Sequence, residues 1–484
     1  MILTACTDPA DDRLVKQREL QIQLLPLVLC ALGSTVFSNT QPSDISLLRE
    51  SNALMIQKLF DMQTEIELLQ ASLDQNGAVN EVQSPAQAKA SGDFMDKLKA
   101  TGEIRHRFEN RDFGSTLGVT PADESFFSQR ARITLSGELR ENLKFDMQLM
   151  DLRQWGSNRS VLRNNNDDFT GVQLLHVTHT DWIDNADVIL GRQKLSFGDS
   201  LVLSHGNWVS RPATFDGVRV HKRRGRDQES VDFFYTKVNA GPIANRANGD
   251  DVDLGGIYAH FQPGENIGWA SYGLIRRDGV LDETRYQLGV EGTFKRHKMD
   301  YELHLAMQEG AIGARDIGAN LKKISARYTT KSAKQHRVYS HYYQASGDTN
   351  PLDNKSESWD PMYGTRHGRF GIADHFRLSN LTSFQVGMDY KPQRDTKVEI
   401  SVTDIGLDSP NDRIMNSYGI NTVNPGSGLT DVGWEFGVSW HQQHQKDHAW
   451  FAGFSRFDGA EASKRFLQGL DGANFLYAGS ELSF

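Results

Sequence analysis

Cysteine is nearly missing from this chain. Among 484 residues only Cys6 and Cys30 occur, both near the start, so no disulfide framework and no cysteine-based metal site exists downstream. Long apolar runs are missing too. Hydrophobic residues make up 38% of the chain, and no run in its body approaches the roughly 20 residues of a membrane helix. That excludes a helical membrane protein but not a membrane barrel, in which only alternate strand residues face lipid. Nucleophile elbows of the Gly-x-Ser-x-Gly type and His-Glu-x-x-His pairs are absent, so no enzyme and no cofactor is expected. A barrel enzyme acting on lipid would need a nucleophile with a base, and none is visible. His441, His444 and His448 cluster at a turn and read as solvated surface before they read as a metal site. A net charge of -9 gives nucleic acid no basic surface, and the basic run Lys222–Arg226 lacks interleaved aromatics.

What is there is glycine and aromatics: 43 Gly, 25 Phe, 13 Tyr and 8 Trp, a composition that suits many strands, tight turns and aromatic girdles. The final stretch places Leu476, Ala478, Leu482 and Phe484 on one parity and Gly479, Glu481 and Ser483 on the other. This is period-two alternation ending on an aromatic carboxy terminus, and it resembles the closing strand of outer-membrane barrels. The same alternation starts near Leu98. Glu103, Arg105, Arg107 and Glu109 alternate with Gly102, Ile104, His106 and Phe108, and Arg130 and Arg132 with Ala131 and Ile133.

A soluble sandwich could alternate in this way, so the connections decide. Short basic or polar turns such as Arg140–Asn142, Pro263–Asn266 and Lys391–Arg394 alternate with long polar segments near 110–125, 154–168, 198–213, 241–251, 346–378, 405–429 and 458–469. Short periplasmic turns and long outer loops give this rhythm in an up-and-down barrel. The expected fold is therefore all-β: a closed transmembrane barrel of about 18 antiparallel strands over 98–484, preceded by a short α-helical coiled-coil segment.

The segment before the barrel divides into three. Leu24–Gly33 is an apolar run behind Lys16 and Arg18, with Val36-Phe37-Ser38 after it, so 1–38 is expected to be a secretory signal. Asp8, Asp11 and Asp12 do not suit a basic leader, and the start site is read as over-extended. Over 42–75, Ile45, Leu48, Asn52, Met55, Leu59, Met62, Ile66, Leu69 and Leu73 follow three-four spacing. That is a heptad seam with one polar residue, Asn52, at an a position. It predicts a periplasmic coiled coil that joins subunits, a trimer first and a dimer second; the alternatives are another periplasmic partner or a helix docked on its own barrel. Residues 76–97 form a linker.

Several motifs together resemble the alginate export family of outer-membrane proteins. They are Asp151-Leu152-Arg153-Gln154-Trp155-Gly156, Gly191-Arg192-Gln193-Lys194-Leu195-Ser196-Phe197-Gly198-Asp199, Trp208, Phe215-Asp216-Gly217-Val218, and Ala345–Pro351 continuing to Thr365-Arg366-His367 and Gly371. The resemblance implies an 18-stranded barrel with a positively lined channel for a uronic-acid polymer. It further implies lumenal roles for Arg130, Arg132, Arg153 and Arg192, with Asp199 and Asp216 as partners. Parity adds Arg105, Arg107, Arg219 and Arg327 to the inward arginines. Guanidinium rows attract carboxylate or phosphate, yet Glu103, Glu109 and Glu138 offer them partners within the barrel, and the sequence weighs both uses equally. The expected function is passive passage of anionic solutes or a uronic-acid polysaccharide across the outer membrane. Two other readings stay open: a substrate-specific porin for small organic acids or sugars, and a barrel-anchored envelope tether.

Overall fold

The computed structural model describes residues 97–112, 123–156, 168–183, 185–225, 229–239, 252–330, 336–365, 367–415, 421–422, 428–466 and 471–484. The secretory segment, the heptad segment and all but the last residue of the linker lie outside the described residues.

The alternating segments form strands β1 (Lys99–Asp112), β2 (Asp123–Arg140), β3 (Leu143–Trp155), β4 (Phe169–Ile183), β5 (Ala186–Gln193), β6 (Thr214–Arg223), β7 (Ser230–Asn239), β8 (Val252–Gly264), β9 (Ile267–Asp278), β10 (Glu283–Arg296), β11 (Met299–Ile312), β12 (Arg315–Thr329) and β13 (Arg337–Ala345). After the two-residue β14 (Lys355–Ser356) come β15 (Leu381–Gln393), β16 (Thr396–Gly406), the short β17 (Ile414–Met415) and β18 (Asn421–Thr422), β19 (Asp431–Gln445), β20 (His448–Gly459), helix α1 (Glu461–Phe466) and β21 (Gly472–Ser483). Leaving out the three two-residue pieces, 18 strands pair antiparallel, each with the next, and β21 closes on β1. Closure leaves no unpaired edge, which is what a strand structure needs in lipid.

Lys99 and Phe484 lie at one end of the barrel, where two-residue connections dominate, as at Glu141–Asn142, His297–Lys298 and Lys446–Asp447. Long connections gather at the opposite end, at 194–213, 346–380 and 407–430. The predicted alternation fails only at 279–282 and 313–314, both tight turns among the described residues. In the first, Asp278 accepts from the amides of Val280 and Leu281 at 3.0 and 3.2 Å. Short turns with the termini mark the periplasmic end.

One parity of the strands is exposed and apolar: Ile133, Leu149, Leu303, Ile324 and Val402 lie on it. Trp182, Phe294, Tyr301 and Tyr328 bring rings toward the periplasmic edge, and Phe127, Trp155 and Trp434 toward the other, as interfacial girdles do. The other parity is buried, because the long connections fold into the bore. Leu195, Phe197, Leu201 and Leu203 from one loop and Trp359, Phe370, Phe376 and Leu378 from another join Phe215, Phe234, Tyr258 and Tyr272 of the wall in one apolar cluster. Each such side chain contributes about 1.5–3 kcal/mol on burial. The loops are thus packed as a core inside the barrel.

Candidate functional site: an arginine-held strap across the lumen

β1 and β2 pair so that Arg105 stands opposite Arg130 and Glu103 opposite Arg132. Adjacent guanidinium groups repel, and the lumen relieves this with carboxylates and with the carbonyls of Asn207–Val209, a strap of the loop after β5. Arg105 donates from Nη1 to the Asn207 carbonyl at 2.9 Å and from Nη2 to Val209 at 3.4 Å. Arg107 donates to the Trp208 carbonyl at 2.7 Å, lies 4.4 Å from the Trp208 ring centroid and pairs with Glu109 at 2.6 Å. Arg130 grips Glu103 through Nε and Nη2 at 3.1 and 2.6 Å, and its Nη1 donates to Asn207 and Val209 at 3.1 and 3.2 Å. Arg132 donates to Asn207 Oδ1 at 2.6 Å. All four arginines are buried. Charge-assisted bonds of this kind contribute roughly 1.5–3 kcal/mol each.

The connection 346–380 meets the strap from the far wall. The Trp208 and His367 rings stack at 3.5 Å between centroids with 5° between planes, and His367 Nδ1 lies 2.9 Å from Asp374 Oδ2. Asp360 is bound by Arg276 at 3.1 and 2.7 Å and by Gln308 through its backbone. Burial opposes its charge, yet Arg276 holds the Asp360 carboxyl well below the usual carboxylate range. Glu435 accepts from the amides of Ile372 and Ala373 at 2.6 and 3.2 Å. Within the loops, burial pushes the imidazoles of His205 and His375 down to about 3, with Lys194 and Arg132 adding to the effect at His205 and Arg111 at His375.

Two clefts flank the strap. One, of about 180 Å³, is lined by His205, Trp208, Arg211, Tyr363, His367 and Arg377 among others. The other, of about 340 Å³, includes Arg105, Trp208, Trp440, His441, Tyr477 and Glu481.

Of the residues singled out in the sequence, Arg105, Arg107, Arg130 and Arg132 come together at the strap. Arg219 also faces inward, 2.7 Å from Asp232 and 5.3 Å from the Phe197 ring centroid. Arg327 faces inward near the periplasmic end, 3.7 Å from Glu302. Three expectations are corrected. Arg153 lies opposite Gln129 and shares the parity of Leu149 and Trp155, so it faces outward, where it binds Asp151 at 3.0 and 2.6 Å. Arg192 pairs with Asp216 as expected, at 2.7 Å through both oxygens, but both lie on the outward parity of Leu190. There they open a cross-strand row, Arg192, Asp216, Lys237, Asp253 and Arg277, near the outer ends of β5 to β9. Asp199 partners Lys323 at 2.6 Å and Arg369 at 3.6 Å, not the β1–β2 arginines.

Sequence reasoning missed Arg111, Arg276, Lys323 and Arg369. Arg111 had a signal, since it continues the alternation of Arg105, Arg107 and Glu109; it donates to Glu109 at 3.0 and 2.7 Å and to the Ala373 carbonyl at 3.1 Å.

A model of the alginate export family matches residues 96–458. The chain belongs to the alginate export family. Its fold is shared by solved structures at low identity. Acinetobacter baumannii OccAB1 matches at a TM-score of 0.56 with 12% identity, over 84% of this chain and 99% of that one. Pseudomonas aeruginosa OprD, an outer membrane protein, matches at 0.53 with 14% identity, over 80% and 94%. Pseudomonas aeruginosa OccK5 (OpdH) matches at 0.53 with 13%, over 81% and 99%. No curated protein matches the chain. Family membership and barrel together make this member of the alginate export family an outer-membrane channel.

Proposed function

We propose that this channel passes anionic solutes passively and that its selectivity comes from arginines beside the strap. The supporting observation is that both clefts flanking Asn207–Val209 carry guanidinium groups, Arg105 in one and Arg211 and Arg377 in the other. Fixed positive charge in a narrow, low-dielectric bore lowers the energy of an anion and raises that of a cation. Arg105 keeps this role while it holds the strap, because its field acts on any solute in the cleft beside it. Two substrates fit the chemistry. A uronic-acid polysaccharide carries one carboxylate per sugar and needs the strap to move aside. A small organic acid fits clefts of about 180 and 340 Å³ as they stand, and that size favours the second substrate. Current block in a planar bilayer tests the choice: block by a simple carboxylate at concentrations where a neutral sugar has no effect supports the small-acid reading. Block by an oligouronate alone supports the polymer. Equal block by the neutral sugar contradicts both.

The heptad segment 45–73 has a use in the same proposal. It joins barrels through a parallel coiled coil in the periplasm, a trimer first and a dimer second.

A further inference from the structure

Away from the strap, three potential metal ligands converge where the loop after β5 touches the far wall. Glu291 on β10 and His304 on β11 are direct cross-strand partners on the inward face. Asp199 reaches them from the loop. Its amide donates to Glu291 Oε2 at 3.3 Å. Gly198, at φ +55°, makes this approach possible: a Cβ there would lie 2.1 Å from Glu291 Oε2. The donor atoms of Asp199, Glu291 and His304 all lie within 4.8 Å of one another.

The second observation is the state of His304. The residue is 2% exposed. Its Nε2 is 2.8 Å from the Tyr272 hydroxyl, whose oxygen also accepts from Gln287 at 3.2 Å. Its Nδ1 has no hydrogen-bond partner and points at two carboxylate oxygens just out of reach, Asp199 Oδ1 at 3.8 Å and Glu291 Oε1 at 3.9 Å. In the tautomer whose Nε2–H donates to Tyr272, the Nδ1 lone pair and the two carboxylate oxygens face one gap, and a cation placed there would be shared by all three. Lys323 and Arg369 do not fill the gap, because they lie on the other oxygen of Asp199, at 2.6 and 3.6 Å. Among the described residues Glu291 has no lysine or arginine ion-pair partner.

We propose that His304 Nδ1, Asp199 Oδ1 and Glu291 Oε1 bind a divalent transition-metal ion of the zinc class, with water completing the shell, and that the ion staples the inward loop to the barrel wall. One imidazole and two carboxylates are a ligand set that zinc accepts. Tetrahedral ligands at about 2.0–2.2 Å stand roughly 3.3–3.6 Å apart. The two edges to His304, at 3.8 and 3.9 Å, must therefore shorten by about half an ångström, while the three donors as a set start within 4.8 Å of one another. The Tyr272 contact orients the ring as outer-shell partners of metal-bound histidines do. The ion bridges residues far apart in sequence, two on a rigid cross-strand pair and one on a loop, so its effect is on how firmly the loop is held.

The experiment is zinc titration of the full chain in detergent micelles, followed by competition with a chromophoric chelator. Heat-modifiable gel mobility confirms that each variant is folded. The His444→Gln/His448→Gln double variant serves as reference, because it removes two histidines of the surface cluster at the β19–β20 turn. The reference is expected to bind one zinc ion at micromolar or tighter affinity. Adding His304→Gln is expected to abolish this binding, and adding Glu291→Gln to weaken it at least tenfold. Equal zinc binding with and without His304, or no zinc binding by the reference, overturns the proposal.

Discussion

Phe484 and Gly102 close the barrel as a pair. The Gly102 amide donates to the Phe484 carbonyl at 2.7 Å, and the Phe484 amide returns the bond to Gly102 at 3.0 Å. The Phe484 ring covers the space above Gly102, where a Cβ would lie 2.2 Å from its Cζ. The last residue of the chain thus completes the β21–β1 ladder and lays its ring over the first strand.

Deleting Phe484 removes two seam hydrogen bonds and the ring that covers Gly102. The expected result is a loss of several-fold or more in folded, heat-modifiable protein in the outer membrane. Gly102→Val is expected to reduce folding as well, because the ring must leave its place. Unchanged folded protein in both variants would show that the seam does not depend on this contact.

Acid should loosen the loops inside the bore. His205 and His375 are neutral in the fold, with values near 3, whereas an unfolded imidazole takes up a proton near 6.5. Above about pH 6.5 neither group makes loop docking pH-dependent. Between 6.5 and 3 the undocked loop binds protons that the docked loop refuses, so docking weakens as pH falls. Single-channel recordings from pH 7 to pH 4 are expected to show rising current fluctuation. A His205→Gln/His375→Gln variant is expected to flatten that dependence.

Exchanging the outward arginines should not touch the pore. Arg153 and Arg192 stand on the outer face with Asp151 and Asp216. The Arg153→Gln/Arg192→Gln variant is expected to keep the wild-type reversal potential within a few millivolts. It should lose no more than about 1 kcal/mol of stability for each exposed pair. A clear loss of anion preference would place these arginines in the conduction path after all.

The strands were legible because one chemical rule, apolar toward lipid and polar toward the bore, repeats at every second residue from Leu98 to Phe484. The strap arginines were legible for the same reason, since Arg105, Arg107, Arg130 and Arg132 sit on a parity whose alternative, Ile104, Phe108 and Ile133, is plainly greasy. Arg153 and Arg192 were misplaced because the rule breaks where loops enter the bore. Met150 and Leu152 are apolar yet face inward, where both are almost fully buried, and the charges beside them are left at the outer rim. Asp199 could not be matched to Lys323, nor Glu291 to His304, because no local pattern reports which wall a folded-in loop reaches.

The heptad segment predicts assembly. Deleting 45–73 should leave a folded barrel of lower oligomeric order in mild detergent. Asn52→Ile should stabilise the assembly while loosening its stoichiometry, since a buried polar a residue sets strand number at a cost in stability. Light scattering checks both, and an intact protein that is already monomeric contradicts self-association.

The most direct test of the channel account is the reversal potential of the purified protein in a planar bilayer under a tenfold potassium chloride gradient. The account predicts a potential of the sign that chloride selectivity gives. It also predicts that Arg130→Gln/Arg132→Gln moves this potential toward zero and raises conductance, because the same two residues supply positive charge and hold Asn207–Val209 across the bore. A potential of the opposite sign in the wild type, or one that the double substitution leaves in place, would contradict it.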